Sequence, residues 1–289
     1  MNEQNIVQIE VAGIKMKFSF PMETKIPNEF HKFIKTNDKE TDVEYVIRLL
    51  ESPLEVSEKE ISDYRGMKVY SCNDGSLRIF SSLVANDGCQ VACLLNQNQK
   101  HILYYPASKW EFYAQELHFL HLIGIEEVLI KKGAFLLHSS VVQMNGQMVL
   151  FSGPSGIGKS TQSQLWEKKL GAEIINGDRC IIRKKNNVFW GSGSPWCGTS
   201  GIYRNEMAPI KGIFILKQST ENRVRRLGAE AFSLLYQQSI VNMWDEGFVE
   251  KITDLIIELL LEVPVYELSC RPEEEAVLLA YQTLFEGGI

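Results

Sequence analysis

No stretch of the chain approaches the roughly 18 uninterrupted apolar residues that a membrane-spanning helix needs. The amino terminus, M-N-E-Q-N-I-V-Q-I-E, has neither the basic start nor the apolar core of a secretory leader, so a cytoplasmic protein without a membrane partner is expected. Positive charge is not in excess: 30 Lys and Arg stand against 36 Asp and Glu, a formal net charge of -6. That balance gives no general attraction to nucleic acid or anionic lipid, and any anion site must be local. The cysteines, six in all, lie at 72, 89, 93, 180, 197 and 270. None forms a C-x-x-C pair and none has a histidine at metal spacing, which excludes a zinc site read from spacing and favours reduced thiols. Internal repeats and low-complexity linkers are also missing.

What is present is an ordinary globular composition, 45% hydrophobic and 23% charged, in a chain of 289 residues. That length suits two domains better than one. The first hundred residues read as short strands: Ile6 to Phe20 alternates in part, Val43 to Leu50 is apolar, and Met67 to Tyr70 and Leu77 to Phe80 flank the turn-like N73-D74-G75. After Pro106 the spacing changes, and Trp110, Tyr113, Leu117, Leu120 and Gly124 recur every three or four residues as one helical face. The expected division is a β-rich domain at 1–105 and a second domain at 106–289.

From Ala134 the pattern sharpens. A-F-L-L-H-S-S-V-V-Q-M and Q-M-V-L-F-S are joined by N145-G146, the dipeptide preferred in two-residue hairpin turns. If those two residues form the loop, facing positions follow directly: Met144 opposite Gln147, Val142 opposite Val149, and His138 opposite Gly153. The second strand runs into G-P-S-G-I-G-K-S-T, which fits G-x-x-x-x-G-K-[ST]. Ser160 to Leu170 can then form a helix closed by Gly171 behind Lys168 and Lys169. A bare glycine turn capping a helix is the simpler reading of such a stretch, but strand, loop and helix in succession are the context of a phosphate cradle.

In that cradle Gly153, Pro154, Ser155, Gly156, Ile157, Gly158, Lys159, Ser160 and Thr161 are the nucleotide-binding candidates. Loop N–H groups and the first helical turn can converge on phosphate oxygens. Lys159 supplies a mobile cation, and the Ser160 hydroxyl can ligate Mg2+. ATP and Mg2+ are the implied cofactors. Asp178, in N176-G177-D178-R179 at the end of the E-I-I strand, is the candidate carboxylate for the metal and for catalysis, although most Asp residues in such runs only form turns. His138 is the second catalytic candidate, because the hairpin register sets it beside the loop. Arg179 is a candidate phosphate contact. The loop G-S-G-S-P-W-C-G-T-S-G-I-Y-R-N offers Trp196, Thr199 and Arg204 as candidates over the nucleotide or acceptor. Cys197 reads as packing and R223-V-R-R226 as a solvated face. Further on, a strand is expected at 212–216, helices at about 229–243 and 245–261, and a strand plus helix after Val263.

The combination of L-L-H-S-S-V-V, G-P-S-G-I-G-K-S-T, I-N-G-D-R and G-S-P-W-C-G-T resembles the kinase domain of HPr kinase/phosphorylase and its relatives, among them kinases of ribosomal-peptide gene clusters and, more remotely, phosphoenolpyruvate carboxykinases. The resemblance spans about residues 110–289. It implies an α/β fold, a P-loop kinase domain of the HPr kinase/phosphoenolpyruvate carboxykinase type preceded by a smaller β-rich domain, and phosphoryl transfer from ATP to a hydroxyl of a peptide or small molecule. The matching positions are His138, Gly153 to Thr161, and Asp178. Many relatives carry two aspartates before the arginine, whereas Gly177 stands in the first place here. The glycine-rich signature that accompanies HPr binding has no close counterpart, so HPr is not the expected acceptor. The expected partners are a nucleotide and an unidentified hydroxyl-bearing acceptor, with self-association left open. Nucleotide binding without transfer, and plain NTP hydrolysis, are the alternatives.

Overall fold

The computed structural model describes residues 4–21, 24–35, 40–64, 66–81, 90–114, 119 and 122–287. Leu117, Leu120, His118, His121 and Cys89 lie outside the described residues. The protein is a mixed α/β chain in two compact units, 1–128 and 129–289. Among the described residues no helix is long and apolar enough to cross a membrane, and the five described cysteines form no disulfide with one another.

The first unit is an eight-stranded sheet in the order β1-β2-β3-β8-β7-β6-β5-β4. Its strands are β1 (Gln4–Val11), β2 (Ile14–Pro21), β3 (Val43–Leu50), β4 (Lys59–Tyr64), β5 (Met67–Cys72), β6 (Gly75–Ser81), β7 (Gln90–Asn96) and β8 (Lys100–Pro106). The N73-D74-G75 turn is found where expected, with Cys72 opposite Gly75. Pairing is antiparallel except at β2–β3 and β3–β8. One face carries an aromatic cluster: Phe18 stacks on Tyr45 at 4.7 Å, and Tyr105 meets Trp110 and Phe119 at 5.2 and 5.7 Å. Helix α1 (Trp110–Tyr113) therefore packs with this sheet. The stretch 106–128, which the change of spacing after Pro106 assigns to the second domain, clusters with the first compact unit. At its end Glu126 and Glu127, in α2 (Ile125–Lys131), pair with the buried Arg78.

The second unit is built around β9 (Ala134–Met144) and β10 (Gln147–Ser152). Their register runs from Met144↔Gln147 to Ser139↔Ser152, the one implied by an Asn145-Gly146 loop. Both loop residues have positive φ, 51° and 73°, as a tight hairpin turn with the twist of its strands requires. Helix α3 (Lys159–Leu170) follows and ends at Gly171, φ 67°. Next come β11 (Glu173–Asn176), β12 (Arg179–Lys185) and β13 (Val188–Ser192), the last two turning at Asn186 and Asn187, φ 52° and 57°. Strand β14 (Met207–Gln218) then runs antiparallel to β13 and parallel to β10. Because β9 also pairs with β12, the strands β10, β9, β12, β13 and β14 close on themselves. Outside this ring, β16 (Val265–Cys270) lies parallel to β14 and β15 (Arg223–Arg226) forms an exposed edge.

Two apolar cores fill the unit. In one, α3 and α6 (Glu274–Phe285) cover the parallel strands, with Trp166 edge-on to Phe151 at 5.5 Å. In the other, α4 (Glu230–Gln237) and α5 (Glu246–Glu262) cover the opposite side. The helix expected over 229–243 stops at Gln237 because the chain beyond it bonds to β9: His138 N donates to Gln238 O at 2.8 Å, and Ile240 N to Leu136 O at 3.3 Å. Backbone pairing with an adjacent strand outweighs continued helix there.

Candidate nucleotide-binding cleft

At the end of β10 the backbone turns through Gly153, Gly156 and Gly158, at φ 142°, 77° and 116°. Side chains other than glycine are strained in these conformations, so the glycines set the curvature of the loop. Gly158 stands at the helix start without a capping side chain, which leaves the first N–H groups of α3 directed at the cleft. Lys159 is 7% exposed, and its Nζ donates to Gly153 O at 2.8 Å and Pro154 O at 3.0 Å. Burial lowers its pKa, partly offset by the Asp178 charge. The helix start is tied to β9 by Ser140, whose Oγ donates to Lys159 O at 2.9 Å and accepts from Ser163 Oγ at 2.7 Å.

Asp178 is positioned by Asn176. The Asn176 Oδ1 accepts from both Asp178 N and Arg179 N at 2.8 Å, while its Nδ2 donates to Ser194 O and Trp196 O at 2.8 and 3.0 Å. This is an asparagine turn anchored from behind. Arg179 pairs with His138 across β12 and β9, and Ser139 N donates to Asp178 O at 3.0 Å. His138 Nε2 consequently lies 3.4 Å from Asp178 Oδ1, and Arg179 Nε 3.4 Å from Oδ2. The His138 ring, acting against desolvation, and then the Arg179 and Lys159 charges hold the Asp178 carboxyl below its usual range. Ser152 Oγ closes the corner by donating to His138 O at 2.8 Å.

These groups surround one cleft of about 270 Å³. Ser155, Gly156, Gly158, Lys159, Ser160 and Thr161 form one wall. His138, Gly177, Asp178, Thr199 and Ser200 form the other. Thr199 and Ser200 arrive because the loop after β13 folds back along β11, with Gly177 N donating to Ile202 O at 3.2 Å. Of the other loop candidates, Trp196 is buried behind Asn176, and Arg204 turns to Ile174 O at 3.0 Å and Glu173 at 2.6 Å. Arg179 reaches the cleft only through its contact with Asp178.

Two glycines set the second wall by close approach. A Cβ at Gly198, itself at φ 55°, would stand 2.8 Å from Asp178 Cβ and 2.9 Å from its Cγ. A Cβ at Gly177 would stand 2.6 Å from Ser200 Cβ and closer still to its Oγ. The space an aspartate at 177 would need is therefore filled by Ser200, whose Oγ donates to Cys197 O at 2.6 Å. Sequence reasoning missed Asn176, Ser140, Ser152, Gly198 and Ser200. Only Asn176 carried a local signal, the turn-forming asparagine two residues before Asp178.

The donor set suits a metal that arrives with its own oxygens. Among the described residues no three His, Cys, Asp or Glu side chains converge on a metal position; Asp178 and the Ser160 hydroxyl, both lining the cleft, are oxygen groups of the kind that can ligate a divalent cation whose other ligands are waters or phosphates. No protein-family model and no curated protein matches the chain. Among solved structures, one that matches is the Hpr(Ser) kinase/phosphatase from Coxiella burnetii, 15% identical over 53% of this chain and 94% of that chain, with a TM-score of 0.32. At that distance the likeness carries no functional argument.

Proposed function

We propose that the second unit is an ATP-dependent phosphotransferase whose acceptor is a hydroxyl group of a peptide or small molecule other than HPr. The observation that carries this reading is the meeting, in one cleft, of a glycine loop with its cation, Lys159, and a carboxylate–imidazole pair, Asp178 and His138. Loop N–H groups and Lys159 bind the phosphates and offset the charge that gathers on the transferring group. The Lys159 ammonium, now held by two loop carbonyls, exchanges those partners for phosphate oxygens. Mg2+, held by Ser160 and Asp178, would supply charge neutralisation at the phosphates.

Asp178 remains ionised at neutral pH, since its pKa lies below the usual range. In transfer, the acceptor oxygen bonds to the γ-phosphorus as the bond to the bridging oxygen breaks, ADP leaves with that electron pair, and the acceptor proton passes to the Asp178–His138 pair. Because such transfer is largely positioning and electrostatics, one carboxylate is sufficient. The opposing reading, nucleotide binding or hydrolysis without transfer, draws on the closed space at Gly177, where a second acid has no room. Product analysis with γ-labelled ATP decides between them. Label transferred to a peptide, sugar or amino acid acceptor supports the kinase, free phosphate alone supports hydrolysis, and unchanged ATP with saturable binding supports a binding module.

A further inference from the structure

A second cleft, of about 340 Å³, adjoins the first on the far side of the glycine loop. The two share Gly156, Gly158 and Thr161, so one ligand lying across the loop can enter both. The second cleft opens at the carboxyl ends of β14 and β16, which run parallel to each other and, through β14, to β10. Ile157, Leu216 and Pro272 give it an apolar lining that the phosphate cleft lacks, with Arg271 at its rim. The Arg271 guanidinium is held by Glu273 at 3.1 and 3.2 Å, an arrangement that keeps a planar cation available for stacking.

One buried polar atom points to what belongs there. Gln162 is 2% exposed and lines this cleft. Its Nε2 lies 3.3 Å from Cys270 Sγ, and its Oε1 has no hydrogen-bond partner among the described residues. A buried amide oxygen left unpaired is costly. The orphan acceptor is explained by a ligand that brings a hydrogen-bond donor on an otherwise apolar body.

We propose that this cleft is the nucleoside subsite, in which the base of the bound nucleotide packs between Ile157 and Arg271 and donates a hydrogen bond to Gln162 Oε1. The inference rests on the phosphate-binding reading of the neighbouring cleft and extends it from phosphates to the whole nucleotide. Titration calorimetry with Mg·ATP and with magnesium inorganic triphosphate tests it. ATP should bind the full-length protein at least about tenfold tighter than triphosphate, and Gln162→Ala should remove most of that advantage while leaving triphosphate affinity unchanged. Unchanged triphosphate affinity also certifies that the variant is folded.

An independent readout is Cys270, a partly exposed free thiol in the wall. Its alkylation by iodoacetamide, followed by peptide mass spectrometry, should be slowed by Mg·ATP and not by triphosphate. Equal affinities for ATP and triphosphate, or ATP binding that leaves the Cys270 labelling rate where triphosphate leaves it, overturn the subsite while the phosphate site stands. Failure of both ligands to bind overturns the subsite and the phosphate reading together.

Discussion

Arg78 in the first unit and Lys159 in the second are both buried cations, 2% and 7% exposed, yet their surroundings differ in kind. Arg78 meets Glu126 and Glu127 directly, and although burial works against its charge, the two carboxylates raise its pKa. Lys159 meets neutral carbonyls of its own loop, and burial prevails, lowering its pKa against the more distant Asp178. A buried charge matched by adjacent opposite charges is complete and belongs to the fold. One held by weak, exchangeable partners beside a cleft is available to a ligand.

The sharpest test of this contrast exchanges both cations for alanine. Lys159→Ala should reduce phosphoryl transfer by about a thousandfold or more and leave stability within about 1 kcal/mol, read by turnover and denaturant midpoint on the same preparation. Arg78→Ala should do the reverse. Stranding two carboxylates that are only 12% and 13% exposed costs about 3 kcal/mol, with nucleotide affinity per folded molecule unchanged. If Arg78→Ala abolishes binding in folded protein, or Lys159→Ala unfolds the chain, the contrast fails.

Asp178→Asn comes next, with transfer reduced at least about a hundredfold. It also has a pH signature. Because the native carboxyl sits below its usual value, its contribution to stability is present above the unfolded carboxylate pKa, about 3.9, and is lost as pH falls through the lower native value. The acid limb of a stability-versus-pH curve should therefore be shallower in Asp178→Asn than in the parent, and identical limbs would show that the carboxyl is unperturbed.

His138→Ala should lower turnover by about a hundredfold with little change in midpoint, since its side chain is 30% exposed at the cleft and packs no core. A large midpoint drop with normal activity per folded molecule would return the residue to a structural role. Gly198→Ala should have the mildest effect, a loss of about tenfold in turnover, because the new methyl displaces Asp178 without removing it. Unaltered kinetics would mean that Asp178 tolerates the shift.

How far the chain could be read depended on the distance over which each contact acts. The β9–β10 register followed from Asn145-Gly146 because two left-handed residues in a two-residue loop leave no other alignment. The glycine loop and its helix were legible for the same reason, since strand, glycines, lysine and the Gly171 stop are contiguous. The placing of residues 106–128 was not, because the partners of Trp110 and Phe119, Phe20 and Tyr105, stand on strands formed earlier in the chain. Nor was the early end of α4, which depends on the backbone of β9.

The cleft divides along the same line. By itself the sequence determined its glycine-loop wall, of which Ser155, Gly156, Gly158, Lys159, Ser160 and Thr161 line the cleft, and the proximity of His138 to that wall, for both rest on dihedral preferences and on the two-residue alternation of a hairpin. Only the tertiary structure decided the facing wall. Which residues of the loop after β13 reach it, Thr199 and Ser200 in place of Trp196 and Arg204, is set by the return of that loop along β11 and by Asn176 bonding to Ser194 and Trp196. The exclusion of a side chain at Gly177 depends on the seating of Ser200, and the setting of Asp178 on the bareness of Gly198. Those are contacts between segments some twenty residues apart, where sterics and hydrogen bonds act only once the closed strand ring has brought the segments together.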